Sequence, residues 1–278
     1  MKLKKIHIMS IALAVILMII VTLSGCSSQL NDKRIPVKVL ILPKFEQCDM
    51  AGDFPGEAQY FYEEYLADGD VFVISAAVDF DLGHRADARE LSNKTGTTWF
   101  HDGSFDDRAV VRLDQNLTDR VFNMVENLRL ETTPETMEFL EREYPGEAWA
   151  QRQPKVMRGT SVTGDNYWKG IYDHENALLI TETYNCADPY AITEMEDIAV
   201  GQAVKGFGLL ERLIILRVAV NMDVFPTGIT PEMLWGGDAD DHVASENGIE
   251  SVDSFETAMK NCFVTGKVLI DEILEGTI

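Results

Sequence analysis

A polar turn that runs into two adjacent aromatic residues is one feature of this sequence that could bind a ligand. Residues 163–168 read TGDNYW, so Asp165 is followed closely by Tyr167 and Trp168. An aromatic ring in a loop can stack on a flat heterocycle, as Tyr and Trp do on nucleic acid bases. From the residues alone, the commoner role of such rings is to cover the hydrophobic core, and both roles stay open here.

Two more groups of polar residues stand next to predicted structural elements. Met195 and Glu196 lie at a predicted helix start, where capping and the helix dipole favour a carboxylate. Such a carboxylate could also accept the two hydroxyls of a ribose. Asn221 and Asp223 directly follow an apolar run at residues 212–220, which predicts a strand. Both are candidates for a functional site, because α/β folds place ligands and catalysis at the carboxyl ends of strands.

Several acidic stretches are interpreted as solvated surface rather than as metal sites. They occupy residues 46–57, 102–107 and 237–242. None has the fixed glycine and terminal glutamate of an EF-hand loop, so no metal is predicted. The sequence also contains no P-loop, GxGxxG, GxSxG or HExxH pattern, which argues against the commonest nucleotide-binding, hydrolase and protease classes.

The elements that must position these residues alternate between strands and helices. Strands are predicted from apolar runs, and helices from apolar residues at helical spacing. Thr133 and Pro134 form a typical helix start. The predicted strands are residues 37–42, 71–78, 108–113, 176–181 and 212–220, and the predicted helices include 56–66, 117–128, 193–205 and 255–273. This order predicts an α/β domain with a largely parallel or mixed central sheet flanked by helices.

The amino terminus has the features of a secretory leader. The opening MKLKK precedes an apolar run over residues 8–23, and the residues up to Cys26 read LSGC. Small residues directly before a cysteine resemble the lipobox of bacterial lipoproteins, in which that cysteine is lipidated. An uncleaved transmembrane anchor is the alternative, because the apolar run is nearly long enough to span a bilayer. Either interpretation places the body of the protein outside the cytoplasm, on a membrane.

The predicted organisation is therefore a leader at 1–25, a lipid-anchored tether at 26–36 and one α/β domain at 37–278.

The formal net charge of −22 argues against nucleic acid or anionic lipid as a partner, because phosphates would be repelled. The three other cysteines, Cys48, Cys186 and Cys262, are far apart and form no CxxC pattern. Buried free thiols are predicted for them, and a single disulfide stays open as the alternative.

Taken together, these motifs resemble the purine nucleoside permease family, which is related to the nucleoside phosphorylases. Residues 158–226 carry most of the likeness, with RGTSVTGDNYW, TEMEDIAVGQAV and RLIILRVAVNMD in that order. Residues 37–66 resemble the family's first strand and its acidic loop with GDxPGE. Residues 69–90 resemble the Gly-Asp-strand that ends the phosphorylase glycine signature and the stretch that follows it. The resemblance implies a nucleoside phosphorylase-like α/β domain whose ligand is a purine nucleoside.

The same resemblance implies roles for single residues. Tyr167 falls where phosphorylases stack the base, and Met195 and Glu196 fall where a Met-Glu pair meets the ribose. Asn221 falls where an Asp or Asn meets the purine edge, so it would be the catalytic residue of an active enzyme. The implied substrate-binding residues are Asp165, Tyr167, Met195, Glu196, Asn221 and Asp223.

One part of the family pattern is missing between Leu66 and Gly69, where phosphorylases build much of their phosphate site. Three functions therefore stay open. The first is an extracytoplasmic lipoprotein that binds purine nucleosides and supports their uptake. The second is a nucleoside phosphorylase-type or hydrolase-type enzyme that cleaves the N-glycosidic bond. The third is an impaired, internally deleted paralogue.

Cofactors and partners depend on which of these functions holds. Phosphate would be a cosubstrate only for a phosphorylase, and no other cofactor is expected. An arginine beside the pocket, such as Arg158 or Arg217, would favour the enzyme, because phosphorolysis needs a site for a doubly charged anion. Association into an oligomer is compatible with the sequence.

Overall fold

The computed structural model describes residues 69–92, 97–220, 222–235 and 252–276, and the structural statements below concern these residues. The predicted strand at 37–42 and the predicted helix at 56–66 lie outside them. The strands are β1 (Val71–Asp79), β2 (His84–Arg85), β3 (Trp99–Phe100), β4 (Val110–Arg112), β5 (Val156–Thr163), β6 (Tyr190–Glu194) and β7 (Leu216–Val218). The helices are α1 (Asp106–Ala109), α2 (Gln115–Val125), α3 (Pro134–Glu143), α4 (Ile171–Thr183), α5 (Asp197–Gly206), α6 (Pro231–Trp235) and α7 (Val252–Glu275).

β1 lies inside a mixed sheet and is paired along both of its edges. Its sequence VFVISAAVD is largely apolar, and all of it except Asp79 is buried. One edge pairs in parallel with β5, which in turn pairs in parallel with β6. The other edge pairs antiparallel with β4 near the carboxyl end of β1 and with β7 near its amino end. A strand buried on both faces in this way is typical of α/β proteins.

The carboxyl ends of the three parallel strands coincide. Asp79 of β1 is in register with Thr163 of β5, and Thr163 is in register with Glu194 of β6. The loops that follow these strands therefore start side by side at one edge of the sheet, where α/β folds bind their ligands.

Helices cover both faces of the sheet, because successive side chains of a strand point to opposite faces. Val71 and Val73 belong to a core cluster that also contains Val121 and Val125 of α2 and Leu269 of α7. Phe72 and Ile74, which alternate with them, pack in another cluster with Ile198 of α5. A further cluster contains Val78, Val110 and Val162 of the sheet and Ala177 and Ile180 of α4. The predicted α/β class, with a mixed sheet flanked by helices, is confirmed.

The prediction of a strand at residues 176–181 is wrong, because these residues lie inside α4. Their burial follows a helical period: Asn176 and Ala177 are buried, Leu178 is exposed, and Ile180 and Thr181 are buried again. A short apolar run fits a buried strand and a buried helix equally well, so the run itself did not distinguish them. Packing of Ala177 and Ile180 against the sheet selects the helix.

Two other strands are shorter than predicted. The segment 108–113 contains only the three strand residues of β4, since Asp106–Ala109 forms α1. The segment 212–220 contains only β7, because a 3-10 turn at Leu210–Arg212 precedes it. In contrast, the strand at 71–78, the helix at 117–128 and the helix at 255–273 are confirmed within a few residues at their ends. Thr133 caps α3 by accepting a hydrogen bond from the Thr136 amide, as predicted.

β5 and β6 were not predicted, although they form the parallel half of the sheet. β5 reads VMRGTSVT, and its buried hydroxyl residues hide the apolar signal of a strand. Thr160 is fully buried and donates a hydrogen bond to the Asp188 carbonyl at 2.6 Å, so its polarity is compensated. The predicted helix at 193–205 starts later, at Asp197, because β6 continues to Glu194.

Candidate functional site

Three loops are joined at the carboxyl ends of β1, β5 and β6. The Phe80 amide donates to the Thr163 carbonyl at 2.7 Å, and the Gly164 amide donates to the Glu194 carbonyl at 2.9 Å. The Asp165 amide donates to the Asp81 carboxylate at 2.6 Å. These bonds continue the strand pairing into the loops, so the loops hold fixed positions relative to one another.

The two adjacent aromatics of the TGDNYW turn point to different surroundings. Trp168 is buried and stacks on Phe80, with ring centroids 4.8 Å apart. The Arg85 guanidinium lies 4.0 Å from the centroid of the Phe80 ring and adds a cation–π contact to this stack. Tyr167, in contrast, is 55% exposed. Of the two roles left open above, Trp168 covers the core and Tyr167 remains accessible to a ligand.

The next loop along the sheet edge presents Met195 and Glu196. Met195 is exposed, and the Glu196 side chain is 35% exposed. Asp165 and Tyr167 lie on the neighbouring loop and are exposed as well. We call Asp165, Tyr167, Met195 and Glu196 the carboxyl-end site. The structure therefore places four of the six predicted substrate-binding residues on two loops that are hydrogen-bonded to each other.

Behind the carboxyl-end site lies a charged group that we call the Arg217 cluster, made of Glu194, Glu196, Asp197 and Arg217. The Arg217 Nη2 atom lies 2.7 Å from Glu194, 2.5 Å from Glu196 and 2.9 Å from Asp197. Its Nε atom also donates to Asp197 at 3.1 Å. One guanidinium therefore holds three carboxylates, and the Glu194 and Asp197 side chains are 4% and 0% exposed.

The pKa values in this cluster follow from burial and charge. Burial raises the pKa of Glu194, and the neighbouring charge of Asp197 raises it further, against the opposing effect of Arg217. Burial acts to lower the pKa of Arg217, but the facing carboxylates outweigh burial and raise it. Arg217 therefore stays charged, and it provides the charge that keeps the buried acids in place.

Asp223, the fifth predicted residue, belongs to a second group that we call the Asp223 cluster. Its carboxylate accepts a hydrogen bond from the Tyr190 hydroxyl at 2.6 Å and lies 2.8 Å from His174 Nδ1. Its backbone carbonyl accepts from the Gly170 amide at 2.7 Å. Asp223 thus ties the segment after β7 to β6, to α4 and to the end of the loop that carries Tyr167. In this structure the Asp223 carboxylate and carbonyl therefore link these three parts of the fold by hydrogen bonds.

The Asp223 cluster predicts a pH dependence of stability. The hydrogen bond to Asp223 raises the pKa of His174, although burial opposes it, and Glu175 adds to the rise. A raised folded-state pKa means that the contribution is fully present below the unfolded value of about 6.5 and is lost as pH rises through the folded value. We expect the difference in unfolding free energy between wild type and His174→Gln to be larger at about pH 5.5 than at about pH 8.5.

Denaturant unfolding at both pH values, with an NMR titration of the imidazole, measures this effect. His84→Gln is the matched control, because the pair between His84 and Asp102 is on the surface with His84 69% exposed. An imidazole pKa at or below the unfolded value in the wild type would contradict the prediction.

Some predicted residues lie outside the described ranges, and some residues of the two charged clusters were not predicted. Asn221 and Cys26 lie outside them, as does the junction at Leu66 where a family segment is missing. Glu194, Asp197 and His174 were not singled out from the sequence. The acidic run EMED at 194–197 was a usable signal, since three carboxylates in four residues repel one another and are stabilised by a nearby cation. Among the described residues, no group of three or more His, Cys, Asp or Glu side chains could hold a metal ion.

Arg158, the other arginine considered, is also engaged by acids. It forms ion pairs with Asp119 and with Asp188, the latter at 2.9 Å, and donates to Gln115 at 3.0 Å. Neither Arg158 nor Arg217 therefore presents an unneutralised charge to a ligand.

The fold is that of an α/β protein, and its candidate ligand site, the carboxyl-end site, lies on loops that follow parallel strands. The model of one family, Purine nucleoside permease, matches residues 64–277. The chain belongs to the purine nucleoside permease family, as the motifs indicated.

Individual relatives are distant. A probable purine nucleoside permease of Schizosaccharomyces pombe is 26% identical in an alignment 178 residues long, and this alignment covers 56% of this chain and 51% of that protein. The chain thus spans about half the length of the curated relative it matches. Among solved structures, a 5′-methylthioadenosine/S-adenosylhomocysteine nucleosidase from Colwellia psychrerythraea in complex with adenine is 14% identical, with a TM-score of 0.37 and coverage of 76% of this chain and 64% of that one. The futalosine hydrolase of Helicobacter pylori is also 14% identical, with a TM-score of 0.37 and coverage of 75% and 66%.

Proposed function

We propose that this protein binds purine nucleosides at the carboxyl-end site, with the base on Tyr167 and the ribose on Glu196. The observation that carries the proposal is the placement of an exposed ring and a partly exposed carboxylate on two adjoining loops. A ring face suits a purine, and a carboxylate suits the two hydroxyls of a ribose. Membership of the purine nucleoside permease family supports the same class of ligand.

The Arg217 cluster explains how Glu196 could bind a ligand without destabilising the fold. Arg217 Nη2 carries two hydrogens but lies within hydrogen-bond distance of three carboxylates. Glu194 and Asp197 are almost fully buried, whereas Glu196 is 35% exposed. Glu196 is therefore the carboxylate that can turn towards a ligand while the other two keep the guanidinium paired.

Replacing Tyr167 with alanine should weaken nucleoside binding by about 1–3 kcal/mol, the range for a base stacked on an aromatic side chain. This corresponds to an increase in Kd of roughly 5-fold to 150-fold. The measurement is isothermal titration calorimetry with inosine on the chain from residue 27 onwards, with and without phosphate. Binding by the wild type is at the same time the test of the proposed function.

Tyr172→Ala provides the matched control, because Tyr172 is also exposed but lies on α4. An unchanged Kd for the folded Tyr167→Ala variant would assign Tyr167 to a packing role. No measurable binding of any purine nucleoside by the wild type would refute the function itself.

We also propose that the protein is an extracytoplasmic lipoprotein, anchored through Cys26, that supports nucleoside uptake. The lipobox-like LSGC sequence supports this, and lipidation needs no membrane span in the folded domain. Within the described ranges, no helix has both the length and the apolar character required to cross a bilayer.

A Cys26→Ala variant should lose lipid labelling and move from the membrane fraction to the soluble fraction. The reason is that an acyl chain on this cysteine would be the anchor, and alanine cannot carry it. Metabolic labelling with a fatty acid and fractionation of the cells measure both effects. Ser24→Thr, a conservative substitution two residues before Cys26, is the control. Membrane association that persists in Cys26→Ala would favour a transmembrane anchor instead.

A further inference from the structure

The loop that carries Tyr167 is held at both of its ends by backbone hydrogen bonds. At one end, the Gly164 amide donates to the carbonyl of the last residue of β6 at 2.9 Å. At the other end, the Gly170 amide donates to the Asp223 carbonyl at 2.7 Å. Gly170 has a φ of +141°, which residues with a side chain rarely adopt, so the chain makes a specific turn where this loop meets α4. We call residues 164–170 the Tyr167 loop.

The end of the Tyr167 loop at Gly170 depends on a group that titrates near neutral pH. The Asp223 carboxylate lies 2.8 Å from His174 Nδ1 and accepts from the Tyr190 hydroxyl at 2.6 Å. Burial and the charge of Asp223 raise the pKa of Tyr190, so this hydroxyl keeps its proton. Glu175, on the same helix as His174, also acts on the imidazole and raises its pKa. Histidine changes its charge between about pH 5 and 8, and the His174 side chain is 32% exposed, so its proton can exchange with solvent.

We propose that His174 is a positioning residue for the carboxyl-end site: when protonated it fixes Asp223 and with it the Tyr167 loop, so nucleosides bind more tightly at low pH than at high pH. The inference rests on the proposed function and adds the binding of a proton to it. An imidazolium makes a stronger hydrogen bond to a carboxylate than the neutral ring does. Because the Asp223 carboxylate and carbonyl belong to one residue, a weaker hold on the carboxylate also weakens the bond to Gly170.

Aromatic contacts link His174 to the Tyr167 loop by a second route. The His174 ring lies edge-on to the Tyr190 ring, with centroids 5.6 Å apart. The Tyr190 ring in turn lies 6.4 Å from the ring of Trp168, which follows Tyr167 directly in the loop. His174 therefore acts on the loop both at its end, through Gly170, and at its buried ring.

The first test is the Kd for inosine at about pH 5.5 and about pH 8, measured by calorimetry on the full-length protein in mild detergent. The wild-type Kd should be about 5-fold higher at the higher pH, the lower end of the range for coupled sites. His174→Gln keeps a hydrogen-bond donor but does not titrate, so its Kd should be nearly the same at both pH values. His84→Gln, which removes a histidine that is 69% exposed, should follow the wild type. By linkage, saturating inosine should raise the pKa of His174.

The second test needs neither nucleoside nor a variant. Hydrogen exchange of the Gly170 amide in the wild type, corrected for the intrinsic effect of pH, should show less protection at the higher pH. Protection that does not change with pH would overturn the role of His174. So would a Kd that changes with pH in the same way in the wild type and in a folded His174→Gln variant. A wild type that binds no nucleoside at either pH would instead refute the proposed function, and with it the proton dependence of binding.

Discussion

Replacing Arg217 with methionine is expected to lower the free energy of unfolding by about 3–5 kcal/mol at neutral pH, the cost of removing one partner from a buried ion pair. Methionine keeps much of the apolar stem of arginine, so the loss comes mainly from the missing charge. Glu194 and Asp197 would remain buried without their cation. Urea denaturation at about pH 7 measures the difference.

The loss of unfolding free energy in Arg217→Met, relative to the wild type, should increase as pH rises. Without the guanidinium, which acts to lower it, the folded-state pKa of Glu194 rises further above its unfolded value, because burial disfavours the charged form. A carboxyl group with a raised folded pKa loses stability as pH increases from its unfolded value, about 4, through its folded value. The variant should therefore be closest to wild type at about pH 4–5 and furthest from it at about pH 8.

Arg142→Met is the matched control, since the Arg142 side chain is 61% exposed and pairs with the adjacent Glu143. Surface pairs of this kind are worth about 0–1 kcal/mol, so its effect should be small at every pH. A deficit in Arg217→Met that is below about 1 kcal/mol and independent of pH would show that the three carboxylates do not depend on this arginine.

Replacing Glu196 with glutamine is expected to raise the Kd for inosine by about 10-fold to 150-fold and to leave the Kd for hypoxanthine unchanged. Glutamine keeps the size of the side chain but removes the charge that strengthens hydrogen bonds to the ribose hydroxyls, a change of about 1.5–3 kcal/mol. Calorimetry with the nucleoside and with its free base separates the contribution of the sugar from that of the base.

The Tm of Glu196→Gln tests whether this substitution also destabilises the fold. Arg217 keeps Glu194 and Asp197 as partners, so the Tm of Glu196→Gln should stay close to that of the wild type. Equal losses of affinity for inosine and hypoxanthine would mean that Glu196 supports only the start of α5. A large fall in Tm would likewise argue against Glu196 as the carboxylate that turns to the ligand.

The sequence alone predicted the elements that are determined by residues close together in the chain. The apolar run of β1 predicted a strand that is buried on both faces, and Thr133 with Pro134 predicted the start of α3. The order of the motifs around Tyr167 and Glu196 predicted the family, which the match over residues 64–277 confirms. The roles of the carboxyl-end residues stay predictions.

The sequence was least informative where the same residues fit two structures. Residues 176–181 are apolar enough for a strand or for a helix, and only their packing on the sheet decides for α4. β5 was not predicted because its hydroxyl residues look polar in the sequence, whereas the fold buries them; Thr160, for example, donates a hydrogen bond to the Asp188 carbonyl.

Which side chains meet was decided only by the tertiary structure. Tyr167 and Trp168 are adjacent in the chain, yet stacking on Phe80 buries one ring and leaves the other exposed. Arg217 is 20 residues from Asp197 and 23 from Glu194, and no periodicity relates them. They meet because the fold brings β7 and the start of α5 together, and a buried arginine surrounded by carboxylates is stable only when all of these elements are in place.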